Sequence, residues 1–285
     1  MNLQMKRLVL LLLCTVTLSS CTVHVQDTSF LRAVASGEID STSAALPAGY
    51  SINTDKLPTA DGNLLYRARF VHPDAKSTVI FFGGNASTVG KFAVSTAQEL
   101  TRDWRPNLVF VDYRGYGQSS GTPTLDALSA DALLIFDTEA KVARDSGKKV
   151  VVAGYSLGSV VAGGLLEKRE LDGAILITTV SNVPDMLERA TPWYVKPFVN
   201  VTVDPRLLAV DNIRAVKTYT GPLLVIGAEK DSQTPVVLSQ RVFDASATPA
   251  SRKRLVIAMG ANHGDVLRAP ESAEALRLFA AENGF

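Results

Sequence analysis

From about residue 62 to the C terminus, short apolar runs alternate with stretches of helical spacing, and this alternation constrains the fold more than any other property of the chain. Leu64–Phe70 and Ser77–Phe82 read as strands separated by the turn His72-Pro73-Asp74. Val89–Arg102 has helical spacing, and Asn107–Asp112 is the continuous apolar run of a strand buried on both faces. A long helix over Leu125–Arg144 follows Pro123-Thr124 and stops before Gly147. Strand Lys149–Ala153, helix Leu157–Glu170, strands Ala174–Thr179 and Leu223–Gly227, helix Val236–Ala245, strand Arg254–Met259 and a last helix from Glu271 complete the series. Alternation of this kind predicts one α/β domain, with a mostly parallel central sheet covered by helices on both faces. In such a sheet the chemistry collects at the carboxyl ends of the strands, so the residues just after each apolar run carry the functional information.

The most apolar strand, Val150-Val151-Val152-Ala153, runs into Gly154-Tyr155-Ser156-Leu157-Gly158 and then into a helix of small residues. G-x-S-x-G in a strand–turn–helix context holds a serine on a sharp, strained turn at a helix N-terminus, where partial positive charge favours developing negative charge. Gly117-Gln118-Ser119-Ser120-Gly121 fits the same pattern, but no strand feeds it and Thr122-Pro123-Thr124 follows instead of a helix. Ser156 is therefore the candidate nucleophile, and Ser119 is read as a loop residue.

A serine hydroxyl needs a base. The chain has three histidines: His24 near the N terminus, His72 in an early turn, and His263 directly after the last strand. His263 is the candidate. A carboxylate is needed to fix its tautomer, and the segment after Leu223–Gly227 offers Asp231, with Glu229 as a rival. Asp265 lies too close to His263 along the chain to favour it. The competing role for Asp231 is a cap on the following helix.

These residues, in the order Ser156…Asp231…His263, resemble the α/β-hydrolase family over about residues 60–285. Asp112-Tyr113-Arg114-Gly115-Tyr116-Gly117-Gln118-Ser119 looks like that family's D-x-R-G-x-G-x-S loop, Gly227–Pro235 like its acid loop and Asn262-His263 like its histidine loop. By pattern the nearest relatives are small esterases, acyl-protein thioesterases and serine-aminopeptidase-type members. The resemblance implies a serine hydrolase acting on a carboxylic ester or thioester, with no metal or organic cofactor. It also implies an oxyanion hole from the backbone N–H groups of Leu157 and Asn85. The sequence departs from the family in having Gly83 where a histidine usually opens that loop. The enzymatic alternative is a peptidase or amidase on the same triad. The non-enzymatic alternative is an envelope lipoprotein that uses the fold for binding.

Residues 180–220 form an apolar, aromatic insertion containing Met186, Trp193, Tyr194 and Phe198. It is read either as a small lid over Ser156 or as a connection packed on the core. With the lid, substrate contacts are expected from Gly84, Tyr155, Trp193, Tyr194 and Phe198.

At the N terminus, Lys6 and Arg7 precede the apolar run Leu8–Cys14 and small polar residues, the order of an export signal. The run is shorter than the roughly 20 residues of a membrane-spanning helix. Leu18-Ser19-Ser20-Cys21 resembles the lipobox of bacterial lipoproteins, which implies removal of residues 1–20, acylation of Cys21 and attachment to a membrane in the cell envelope. Thr22, in place of Asp, favours the outer membrane facing the periplasm by the same resemblance. Residues 21–60 then read as a tether and a loosely packed approach to a domain spanning 61–285. Composition excludes other classes: 29 basic against 28 acidic residues give no electrostatic footprint for nucleic acid, and two cysteines form neither a disulfide framework nor a zinc site. The substrate's identity and the oligomeric state are not legible in the sequence.

Overall fold

The computed structural model describes residues 21–26, 31, 33–39, 46–191, 193–194 and 196–285. The export-signal reading of residues 1–20 lies outside the described residues. Among the described residues no helix is long and apolar enough to cross a membrane.

Strands β1 (Cys21–Val25), β2 (Val34–Ala35) and β3 (Ser51–Pro58) precede the alternating series. The series itself begins with β4 (Leu64–Val71), β5 (Ser77–Phe82), α1 (Val89–Leu100), β6 (Asn107–Val111), β7 (Tyr116–Gly117), α2 (Leu125–Asp145), β8 (Lys149–Tyr155), α3 (Leu157–Leu166) and β9 (Gly173–Ile177). The insertion follows with α4 (Val183–Ala190), β10 (Val199–Val203), α5 (Pro205–Leu208) and α6 (Asn212–Thr218). The chain closes with β11 (Leu223–Ala228), α7 (Val236–Ala245), β12 (Lys253–Ala258) and α8 (Pro270–Asn283).

Eight strands form the main sheet in the order β12-β11-β9-β8-β5-β6-β4-β3. The pairs from β12 to β6 are parallel, while β4 and β3 join antiparallel. The central strands β5, β9 and β11 are buried along their whole length, which is why they read as unbroken apolar runs. One apolar cluster packs residues of α2, α3, α6 and α7 on one face, and a second packs α1 and α8 on the other. The sheet is thus a doubly covered layer, as the alternation requires.

Two expectations need correction. The stretch read as a tether and loose approach, residues 21–60, contains three strands. β3 is the edge strand of the main sheet, β2 pairs with β7, and β1 pairs in parallel with β10 of the insertion. The domain therefore begins before residue 61. These strands escape a sequence reading because β3 is a mostly solvent-facing edge, where only Leu57 is fully buried, and because β1 has no partner until β10. The helix expected to reach Glu170 ends at Leu166.

Two features shape the strand ends around Ser156. Asp112, fully buried at the end of β6, accepts hydrogen bonds from the backbone N–H of Val89, the first residue of α1, at 2.6 Å and of Gln118 at 2.9 Å. One carboxylate thus ties a helix start to the loop after β6. Helix α3 also approaches β5 closely. A methyl group on Gly158 would lie 1.9 Å from the Phe82 carbonyl oxygen, and one on Gly154 would lie 2.3 Å from that of Gly158. Gly164, in the same helix, has nothing within 4 Å of its missing methyl.

These contacts set opposite outcomes for two substitutions of one kind. Gly164→Ala should stabilise the protein by about 0.5–1 kcal/mol, the helix-propensity gain. Gly158→Ala should destabilise it by roughly 3 kcal/mol or more, through overpacking against backbone. Denaturant midpoints measure both, and equal shifts would contradict the close approach. Burial pushes the Asp112 carboxyl up to about 6, against the pull of its two backbone hydrogen bonds. Its folded-state pKa is then above the unfolded value, so between pH 4 and 6 the native state keeps a proton that the unfolded chain has released. Asp112 therefore subtracts stability as pH rises across that window, by up to order 3 kcal/mol. The wild-type stability difference from Asp112→Asn should change with pH there and be flat above it, whereas parallel curves would contradict the assignment.

Candidate active site

β5 and β8 pair in register, with Phe82 opposite Gly154, so the loop after β5 and the turn after β8 lie side by side. In that turn Ser156 has φ 53° and ψ −114°, a left-handed conformation that a residue with a side chain adopts at a cost of about 1–3 kcal/mol. The turn is held by a hydrogen bond from Ser156 N–H to the Ile177 carbonyl at 2.9 Å and by Ser159 Oγ donating to the Ser156 carbonyl at 2.6 Å. Asn212 of the insertion buttresses the same point, its Nδ2 donating to the Val180 carbonyl at 2.8 Å and to Thr179 Oγ1 at 3.1 Å.

His263 Nδ1 donates to Asp231 Oδ2 at 2.7 Å. The Asp231 side chain is wholly buried and that of His263 nearly so. Three further hydrogen bonds fix Asp231: Gln233 N–H and Thr234 N–H donate to Oδ1 at 2.8 and 2.9 Å, and the Thr234 hydroxyl donates to Oδ2 at 2.8 Å. The same hydroxyl lies 3.2 Å from His263 Nδ1. Burial works against a charge on Asp231, but the hydrogen bonds from His263 and Thr234 outweigh it and hold the carboxyl below its ordinary range. The capping role does not apply, since α7 starts at Val236 with Pro235 as its cap residue.

The rival carboxylates have other partners. Glu229 accepts from Gly260 N–H at 2.7 Å and Asp265 from Asn262 N–H at 2.5 Å, so both shape the loop that presents His263. Backbone bonds from Glu229 to Ala258 and from Lys230 to Ala261 join the acid and histidine loops directly. His24 instead pairs with Thr202 across β1 and β10, and His72 accepts from Asp74 N–H. Ser119 is a structural residue: its hydroxyl donates to the Asp112 carbonyl at 2.7 Å and accepts from Tyr66 N–H at 2.8 Å.

Ser156 stands where two cavities meet. The larger, about 560 Å³, is lined by Gly83, Gly84 and Asn85 on one side and by Tyr155 and His263 on another, with Lys91 and Arg268 also among its lining residues. The smaller, about 160 Å³, is walled by Leu157, Val160, Val180, Val183, Met186 and Val210. Leu157 is the first residue of α3, where a backbone N–H has no carbonyl of its own helix to bond. Asn85 shares the wall with it.

The structure also shows what braces the Gly83 loop in a chain without the usual histidine. Tyr113 Oη donates to the Gly83 carbonyl at 2.8 Å, and Tyr116 Oη donates to Asn85 Oδ1 at 2.7 Å. Tyr113 lies in the loop after β6 and Tyr116 opens β7, and sequence reasoning missed them, as it did Thr234. The one signal available was their place inside the D-x-R-G-x-G-x-S stretch.

Of the expected substrate contacts, Gly84 and Tyr155 line the larger cavity. A methyl group on Gly84 would lie 3.0 Å from the Tyr155 ring, a tight contact that the ring would have to yield to. Tyr155 also donates its hydroxyl to the His263 carbonyl at 2.5 Å. Trp193, Tyr194 and Phe198 line neither cavity and are 81%, 61% and 52% exposed. The insertion instead lines the smaller cavity with aliphatic residues from α4, α5 and their flanks, while α6 packs into the core. Its aromatic residues come after α4 has passed the site.

The comparisons agree with this architecture. A family model described as serine aminopeptidase, S33, matches residues 73–211. An uncharacterized protein of Mycobacterium tuberculosis is 28% identical over 253 residues, covering 86% of this chain and 84% of that protein. The lysophosphatidylserine lipase ABHD12 of Xenopus tropicalis is 27% identical over 222 residues, covering 70% of this chain and 56% of the lipase. Among solved structures, the Pyrococcus furiosus esterase Pf2001 superimposes with a TM-score of 0.64 at 17% identity, over 88% of this chain and 98% of that one, a likeness of fold. Sheet order, strained serine turn and the likeness to solved hydrolases lead to one conclusion: the chain has the α/β-hydrolase fold.

Proposed function

We propose that this protein is a membrane-tethered serine hydrolase that cleaves a carboxylic ester or thioester bearing an apolar acyl group. The observation that carries the reading is the 2.7 Å bond between His263 Nδ1 and buried Asp231, with His263 and the strained Ser156 lining one cavity. In this mechanism Ser156 Oγ attacks the carbonyl carbon and His263 Nε2 takes its proton, while Asp231 keeps Nδ1 protonated and stabilises the imidazolium. The backbone N–H groups of Leu157 and Asn85 receive the oxyanion, and His263 returns the proton to the leaving group. Water then attacks the acyl-enzyme with His263 again as base, releasing the acid and restoring Ser156.

The two cavities divide the substrate. The smaller, aliphatic one suits the acyl chain. The larger cavity, with Lys91 and Arg268 at its wall, suits a polar leaving group. A lipid ester combines both properties, and the name of the ABHD12 relative refers to such a substrate. Acylation of Cys21 and residence in the cell envelope, at the outer membrane facing the periplasm, complete the proposal. The family model's aminopeptidase description favours amide cleavage as the second reading.

A fluorophosphonate probe should label the wild-type protein, and Ser156→Ala should lose the label together with about 10⁴-fold or more of kcat/KM. Undiminished labelling of the variant would contradict the assignment. Hexanoyl and octanoyl esters should be turned over faster than the acetyl ester and than aminoacyl anilides; faster anilide cleavage would favour the second reading. Val160→Phe, which fills the smaller cavity, should reduce kcat/KM for the octanoyl ester by roughly tenfold, the effect of about 1.4 kcal/mol of lost binding, and leave the acetyl ester within about threefold.

A further inference from the structure

Trp193, Tyr194 and Phe198 form the most exposed aromatic cluster in the described sequence, with the Trp193 and Tyr194 rings edge-to-face at 5.9 Å. Large rings left this open mark an interaction surface. Its occupant follows from the strand pairing. β1 and β10 align Cys21 with Val199, the residue directly after Phe198. The cysteine that ends the lipobox-like motif therefore lies in a strand paired beside the aromatic segment, with no tether between them. The apolar run Leu8–Cys14 ends seven residues before Cys21. At 3.3–3.6 Å per residue those seven span at most about 25 Å. On the membrane-anchor reading, acyl chains on Cys21 would hold this corner at a membrane.

We propose that the aromatic residues Trp193, Tyr194 and Phe198 of the insertion dock into the interface of a lipid bilayer, beside the anchor at Cys21. Trp and Tyr suit that boundary because their rings are apolar with one polar edge. Exposed Arg189 flanks the pair in sequence and favours anionic headgroups, while Lys196 on the other side is paired with Glu188 at 3.7 Å. Other residues of the same insertion, Val180, Val183, Met186 and Val210, line the cavity at Ser156. Docking would thus bring the insertion that lines that cavity to the lipid, the phase in which a lipid ester resides. The proposal rests on the membrane-anchor reading, and it stands whether or not Ser156 is the nucleophile.

The chain carries its own probe. Of its two tryptophans, Trp104 is buried at 5% exposure and Trp193 is open. The mature protein, purified from membranes of the expressing cell, is reconstituted into vesicles of phosphatidylethanolamine and phosphatidylglycerol, plain or with brominated acyl chains. Brominated lipid should quench the wild-type emission by about half, the share of an interfacial Trp193, and leave Trp193→Phe unchanged. The combined Trp193→Ala, Tyr194→Ala, Phe198→Ala variant should keep its activity on a soluble short-chain ester and lose roughly tenfold on an ester embedded in vesicles, the effect of about 1.4 kcal/mol of interfacial binding. Equal emission in plain and brominated vesicles, with Trp193 still open to an aqueous quencher, would overturn the proposal. So would protection of Trp193 only when a second protein is present. Intact mass and flotation of the same sample report the anchor separately, so loss of the anchor is not mistaken for failure of docking.

Discussion

The close parallel packing of β5 against β8, with α3 rising directly off the end of β8, is the constraint on which the rest of the site depends. Gly158 lets the first turn of α3 sit against the carbonyl of Phe82, and Gly154 lets that same turn pack back against the end of β8. That approach puts the first N–H of α3 beside the Gly83-Gly84-Asn85 loop and forces Ser156 into its left-handed conformation. The strain is sustained by hydrogen bonds on every side of the turn, including those centred on Asn212 from the insertion. A serine so held loses little further freedom when it meets a carbonyl carbon.

On the opposite side, the ends of β11 and β12 act as a unit. Their loops are joined by backbone hydrogen bonds and by Glu229 and Asp265, so Asp231 and His263 are presented together. Thr234 closes the arrangement by bonding the carboxylate that orients the imidazole. Two carboxylates that compete for the catalytic role in the sequence thus serve the geometry of the one that bonds the histidine.

Much of this was legible in the sequence because it follows from local pattern. Strands buried on both faces read as apolar runs, and β5 and α7 have the bounds their residues predict. The serine turn was marked by its glycines and by the strand before it, which also separated Ser156 from Ser119. What was hidden depends on distant pairing. β1 is five residues whose partner lies in the insertion, and β3 is a polar edge, so neither has a signal of its own. The bracing by Tyr113 and Tyr116 could not be read for the same reason, since it joins loops from two strands that are neighbours only in the folded sheet. The aromatic residues of the insertion misled because apolar composition says that a segment seeks a nonaqueous neighbour and not which one.

The central claim is that Ser156 forms a covalent acyl-enzyme with the substrate. Rapid acid quenching of the enzyme with a medium-chain ester, followed by peptide mass mapping, tests it directly. The account predicts an added acyl mass on the peptide containing Ser156, absent from the peptide containing Ser119 and lost on a longer incubation. An ester consumed with no acyl mass on Ser156, or with the mass on another residue, would contradict it.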